Sequence, residues 1–140
     1  MRPIYETSKD LKRERSIACR FEDYYDVVCI KQDGFAHFDM ECRRRGVLVG
    51  VAEMKRRYNW SDKYKTFYVS LIKPQAAEVY EARNIPAVFV IQWNDVIGWV
   101  RAKGHVFTSI SGRSDRNDPD DIEEVAHYRI SDFTMFGGRP

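Results

Sequence analysis

Val47-Leu48-Val49-Gly50-Val51-Ala52-Glu53-Met54-Lys55-Arg56-Arg57 is the stretch whose reading decides the fold. It begins as an unbroken apolar run, the signature of a strand covered on both faces in the middle of a sheet. The rhythm then persists while the chemistry changes: the face that carries Val47, Val49 and Val51 continues with Glu53, Lys55 and Arg57. Side chains two apart on a strand point the same way, so Glu53 and Lys55 emerge together. Charges beside a valine ladder are costly to bury unpaired, which places them where the sheet opens to water or metal. A lone Glu-x-Lys is ordinarily a strand ending in a solvated charge cluster. The neighbouring residues decide whether this one is more.

Upstream, Phe35 to Cys42 alternates Phe35, His37, Asp39 and Glu41 against Ala36, Phe38, Met40 and Cys42, and reads as a strand. Arg43-Arg44-Arg45-Gly46 turns it into the valine run. A register whose paired numbers sum to 92 sets Asp39 opposite Glu53, whereas an odd sum sends the two carboxylates to opposite faces. Further back, Thr7-Ser8-Lys9-Asp10 offers helix caps, and Leu11, Glu14, Ile17, Ala18, Phe21 and Tyr25 recur at helical spacing. This predicts a helix over Ser8 to Tyr24 with one carboxylate, Glu14, on its apolar stripe. That carboxylate either pairs at the stripe's edge or aims inward at a site. Tyr25 to Lys31 reads as a strand, closed by a turn at Gln32-Asp33-Gly34.

Downstream, Tyr58 to Lys65 is polar and aromatic and reads as a loop, and Thr66 to Leu71 as a strand. Pro74 suits the first turn of a helix over Lys73 to Arg83, closed by Asn84. Ala87 to Trp93 is a continuous buried strand that turns at Asn94-Asp95 into an antiparallel partner, Val96 to Ala102. His105 to Ile110 and Val125 to Ile130 supply further strand patterns. Residues 111–121 are crowded with Gly, Ser, Asp, Asn and Pro and predict a long mobile loop. The sum is α/β (α+β): a mixed central β-sheet flanked by helices, in one domain over residues 1–140.

Composition sets bounds. With 44% hydrophobic and 31% charged residues the chain is neither disordered nor membrane-spanning, and a net charge of +2 means any nucleic-acid surface must be local. Cys19, Cys29 and Cys42 are an odd set with no close pair, which argues against a disulfide framework or a zinc site. The first residues lack a signal-peptide apolar region, and the run Ile85 to Ile91 is too short to span a bilayer, so the expectation is a cytoplasmic protein with no membrane partner.

Two carboxylates and a lysine at a sheet edge have a natural chemistry. Carboxylate oxygens suit Mg²⁺, with Mn²⁺ as a substitute, and a lysine beside the ion can orient an attacking water and stabilise phosphoryl charge. Between Arg43 and Lys65 the bases Arg43, Arg44, Arg45, Lys55, Arg56, Arg57, Lys63 and Lys65 face only Glu53 and Asp62. Tyr58, Trp60 and Tyr64 are interleaved for stacking on bases. His37 lies on the Asp39 face. His105 and His127 have no metal-ligand spacing.

The order helix carboxylate, hairpin Asp, strand Glu-x-Lys, helix, strand resembles the PD-(D/E)xK nuclease superfamily, the restriction-endonuclease-like fold, over Leu11 to Ala102. It more distantly resembles small nuclease-like proteins of tailed phages and prophages. The resemblance implies that Asp39 and Glu53 hold one or two Mg²⁺ ions, that Lys55 assists the attacking water, and that Glu14 is the helix carboxylate. A Gln or Lys on the next helix falls on Gln75 or Lys73. Phe38 stands where many members have Pro, and Gln75 and Tyr80 are one residue too far apart for the Gln-xxx-Tyr box of exonuclease relatives. The expected function is an Mg²⁺-dependent endonuclease acting on DNA (RNA not excluded), structure-specific in the manner of a resolvase. It would work in the host cytoplasm if phage-encoded, and as a homodimer with Trp93, Trp99 or Phe107 at the interface. The other readings are a non-catalytic nucleic-acid-binding module or an assembly module on the same fold.

Overall fold

The computed structural model describes residues 8–33, 36–111 and 122–140. In chain order the elements are α1 (Ser8–Tyr25), β1 (Val28–Lys31), β2 (Met40–Arg44), β3 (Val47–Arg56), β4 (Thr66–Ser70) and α2 (Ile72–Glu81). There follow β5 (Ala87–Gln92), β6 (Ile97–Arg101), β7 (Phe107–Ser111), β8 (Glu123–Arg129) and β9 (Thr134–Gly137). Six strands form a mixed sheet in the order β1-β2-β3-β5-β6-β9, and three form an antiparallel sheet, β4-β8-β7. Within the larger sheet β3 and β5 pair in parallel, from Val51↔Ala87 to Arg56↔Gln92, and the other pairs are antiparallel. A parallel pair requires a crossover, and here the crossover carries β4 and α2.

The two faces of β3 meet different partners. Ala52 and Met54 pack with Val90 and Ile97 under α1, which contributes Ile17, Ala18 and Phe21. Val51 packs with Phe89 and Ile91 on the other face, under Ala77 of α2 and under Phe67, Val69, Ala126 and Tyr128 of the smaller sheet. Burying a side chain of the Val, Leu or Phe class contributes about 1.5–3 kcal/mol, so both faces of β3 are strongly fixed. The Tyr128 hydroxyl satisfies its burial by donating to the Ala102 carbonyl at 2.6 Å.

Several boundaries differ from the sequence reading, each for a visible reason. Leu11 is exposed, so the buried stripe of α1 begins further along the helix. Asp26 adopts a left-handed φ of 56°, which ends α1 and delays β1 to Val28. The strand expected from Phe35 starts only at Met40, and residues 36–39 are a bend. Phe38 is buried in the cluster under α2, stacked on Phe89 at 5.8 Å and edge-on to Tyr80 at 5.8 Å. A straight strand would send Phe38 and Asp39 to opposite faces; the bend lets both reach the α2 side. Arg43 and Arg44 belong to β2, and the turn is Arg45-Gly46 with φ of 51° and 79°. Two positive φ values match the two-residue turns that suit strand twist.

The terminal strand β9 is absent from the sequence reading. Gly98 admits it: a Cβ there would run into Met135 Sδ and lie 3.0 Å from the Thr134 carbonyl oxygen. The cysteines, distant in sequence, are brought together in part, since Cys29 and Cys42 are direct partners across β1 and β2 with Sγ atoms 3.9 Å apart as free thiols. Of the aromatics expected at an interface, Trp93 is buried and the Trp99 indole N–H donates to the Tyr25 hydroxyl at 2.5 Å. Phe107 is exposed and stacks on His127 at 4.3 Å. No described helix is long and apolar enough to cross a membrane. Gly34 and Phe35, and residues 112–121 of the expected loop, lie outside the described residues.

Candidate active site

The β2–β3 register runs Met40↔Ala52, Glu41↔Val51, Cys42↔Gly50, each pair summing to 92. Extended by one position, this frame sets Asp39 opposite Glu53, on the face away from α1. Glu53 is only 4% exposed. Its Oε1 accepts from Lys73 Nζ at 2.5 Å, and the same ammonium donates to the His37 carbonyl at 2.6 Å. Lys73 thereby ties the first turn of α2 to the bend that carries Asp39. Glu53 Oε2 is buried and takes no hydrogen bond from any described residue, although Lys55 Nζ stands 3.3 Å away. His37 meets the site through its backbone oxygen; its side chain is not part of that contact.

Asp39 is held in a different balance. Burial raises its carboxyl to about 6, and the charges of Glu53 and Glu14 add to the rise while Lys31 and Lys73 oppose it. Lys31 Nζ is 2.8 Å from Glu14 Oε2 and 3.6 Å from Asp39 Oδ1. Glu14 therefore reaches the site through Lys31, because α1 packs on the opposite face of β3. This explains why, among the described residues, no three His, Cys, Asp or Glu side chains converge closely enough to hold a metal ion. Asp39 and Glu53 alone offer a pair of hard oxygen donors, one of them an unsatisfied buried oxygen. That donor set suits Mg²⁺, which commonly takes one or two carboxylates and keeps several waters. Glu14 does not complete a three-carboxylate cage.

The basic residues divide. At about 3.3 Å per residue, Val47 at the start of β3 is about 20 Å from Glu53, so the arginine turn sits at the far end of the strand from the site. There Arg43 pairs with Glu41 at 2.9 Å, and Arg44 donates to the Tyr25 and Asp26 carbonyls, while Arg45 occupies the exposed turn. Beyond Lys55, Arg56 turns to the α1 side, where it bonds Asn94 and lies 4.3 Å from the Tyr58 ring centre. Arg13 of α1 approaches the same ring at 5.4 Å. Arg57 returns to the Glu53 face, its guanidinium 5.0 Å from the Phe67 ring centre. Lys63 lies over Tyr64 and Lys65 is exposed, both in the loop after Arg57. Gln75 is exposed, and Lys73 is the α2 residue that touches Glu53.

Sequence reasoning missed Lys31. The available signal was a base closing the strand that pairs beside the Asp-bearing one, as Lys31↔Met40 shows. Arg13 carried no readable signal, because only the fold brings α1 over Tyr58.

Residues 1–136 match a family described as "Phage putative PDDEXK endonuclease". This chain belongs to that phage endonuclease family. The PD-(D/E)xK resemblance read from the sequence is therefore correct, and the family supports nuclease activity for this chain. No curated protein matches it. Among solved structures, Archaeoglobus fulgidus Hjc, a Holliday junction resolvase from an archaeal hyperthermophile, aligns at a TM-score of 0.60 with 12% identity. The alignment covers 93% of this chain and 92% of the resolvase, which shows a shared restriction-endonuclease-like fold.

Proposed function

We propose that this protein is a divalent-metal-dependent endonuclease that hydrolyses DNA phosphodiesters, with Mg²⁺ as its ion and branched or otherwise distorted DNA as its substrate. The observation that supports the reading is that Asp39 lies near enough to feel the charge of Glu53, whose Oε2 is buried and unsatisfied with Lys55 Nζ 3.3 Å away. Asp39 and Glu53 would hold the ion, which when bound would polarise a phosphoryl oxygen and acidify an attacking water. The Lys55 ammonium orients that water and stabilises negative charge on the phosphoryl oxygens as they build it up. Lys73 offsets the charge of Glu53 and fixes α2 against the bend, and Lys31 does the same between Glu14 and Asp39. Arg57, Lys63 and Lys65 supply cations near the site, with Arg13 and Arg56 on the α1 side for the backbone of a bound strand. Because two strands must be cut at a branch and one small core has one site, the working unit is read as a homodimer.

The test is cleavage of linear, branched and single-stranded DNA, and of RNA, by purified protein with Mg²⁺ or Mn²⁺. Glu53→Gln and Lys55→Ala are expected to lose at least about 100-fold in rate while retaining the far-UV spectrum and DNA binding in EDTA. Absence of metal-dependent cleavage on every substrate refutes the reading. It would instead favour a module in which lysines merely neutralise carboxylates, the arrangement that Lys73 already makes with Glu53.

A further inference from the structure

Past Lys55 the same face of β3 continues to Arg57, whose backbone N–H still donates to the Gln92 carbonyl at 3.0 Å. Here the fold opens into a cavity of about 580 Å³ between the end of β3, the following loop, β4 and β8. Phe67 and Trp93, both buried, line it from within, and Tyr64 and Tyr68 line it from outside, 59% and 50% exposed. Arg57 lies over Phe67, and among the described residues its guanidinium finds no hydrogen-bond acceptor. Asn59 also lines the cavity; its amide nitrogen donates to the Trp60 carbonyl at 2.9 Å, which leaves its oxygen as an acceptor.

Flat aromatic walls, a planar fork of donors and one amide oxygen are what a nucleobase needs: faces to stack on and partners for its edge. A paired base cannot enter, because its faces are stacked and its edge is occupied. Two residues of strand separate Lys55 from Arg57 by about 7 Å, the reach of a nucleotide flanking a phosphate held at Glu53 and Lys55. We propose that this cleft takes one unpaired base of the substrate strand, stacked on Tyr64 and Tyr68 with Arg57 donating to its edge, so that the enzyme selects DNA with an unpaired nucleotide beside the cut. This deepens the nuclease reading and rests on it for the position of the phosphate.

The test separates the two. Binding is measured in EDTA with a fully paired duplex and with the same duplex carrying a single-nucleotide bulge of 2-aminopurine. Wild-type protein is expected to bind the bulged probe at least about 10-fold more tightly and to change its fluorescence. Stacking of a base on an aromatic ring contributes about 1–3 kcal/mol, or roughly 5- to 150-fold. The double variant Tyr64→Ala/Tyr68→Ala should lose that factor on the bulged probe alone, and Tyr64→Phe/Tyr68→Phe should keep it, since a ring suffices. Equal affinity of wild type for both probes, or an equal loss on both in the alanine variant, overturns the proposal. Cleavage of the same probes in Mg²⁺ is scored independently: cutting without preference for the bulge sinks the base cleft alone. Selective binding without any cutting sinks the hydrolytic reading and leaves the cleft in place.

Discussion

Replacing Asp39 by Asn should make the metal-free protein more stable, and the size of the gain follows from the site. An aspartate whose ordinary carboxyl value is 3.8 sits in the folded protein at about 6, chiefly through burial and then through the charges of Glu53 and Glu14. Between those values the folded protein holds a proton that the unfolded chain has released. Stability therefore falls as pH rises through this window and stays reduced above it. A displacement from 3.8 to about 6 corresponds to about 3 kcal/mol. The Asp39 side chain is 18% exposed, so solvent relieves part of this and about 1–3 kcal/mol is expected. Asp39→Asn keeps the shape and removes the charge, and Lys31 is not orphaned because it retains Glu14 at 2.8 Å. In EDTA at pH 8, the variant's urea midpoint should rise by roughly 0.5–1.5 M for an m-value of about 2 kcal/mol/M. At pH 4 the two proteins should coincide. A variant equally or less stable at pH 8, or a gap that widens toward acid, refutes this account of the carboxyl. As a second arm, Mn²⁺ should raise the melting temperature of the wild type and leave that of the variant unchanged.

Lys73→Met strips Glu53 of its 2.5 Å partner and frees the His37 carbonyl, so it should cost about 2–4 kcal/mol in urea unfolding; a change below about 1 kcal/mol contradicts the tie described for α2. Gly98→Ala forces a Cβ against Met135 and Thr134, and should cost about 1–3 kcal/mol with faster hydrogen exchange confined to β6 and β9. Arg45→Asn relieves a non-glycine residue at φ 51° and should stabilise by about 0.5–1 kcal/mol while leaving cleavage unchanged, since the turn lies beyond the far end of β3 from Glu53. Loss of cleavage in that variant would return the arginine turn to the substrate surface.

What could be read from the chain was what local pattern controls. The apolar run into Glu53 and Lys55 reads as a covered strand, but its register was not legible from the turn: pairs next to the turn sum to 91, and an irregularity between Cys42 and Arg43 brings the sum to 92 at Met40. The bend before Met40 was hidden because it exists to lodge Phe38 against Tyr80 and Phe89, side chains from elements some forty residues or more away. The lysines on the carboxylates were hidden for the same reason: Lys31 and Lys73 arrive from a neighbouring strand and a later helix, and nothing in their own surroundings marks them. The basic run reads as one cluster because its members are close in sequence. A strand of ten residues holds its two ends apart, so a cluster spanning both ends became two. The second sheet escaped notice because β4 and β8, which pair from Thr66↔Arg129 to Ser70↔Val125, lie far apart along the chain.

The parallel union of β3 with β5 also bears on synthesis. A ribosome that has released the chain as far as Arg83 has made Glu14, Asp39, Glu53, Lys55 and Lys73, yet has not begun the strand that backs β3 from Val51 to Arg56. Until Gln92 has emerged, the nascent chain carries Glu53 and Lys55 on a strand that has β2 on one side and no partner on the other. Order of translation thus leaves the inner edge of β3 uncovered until β5 has been made.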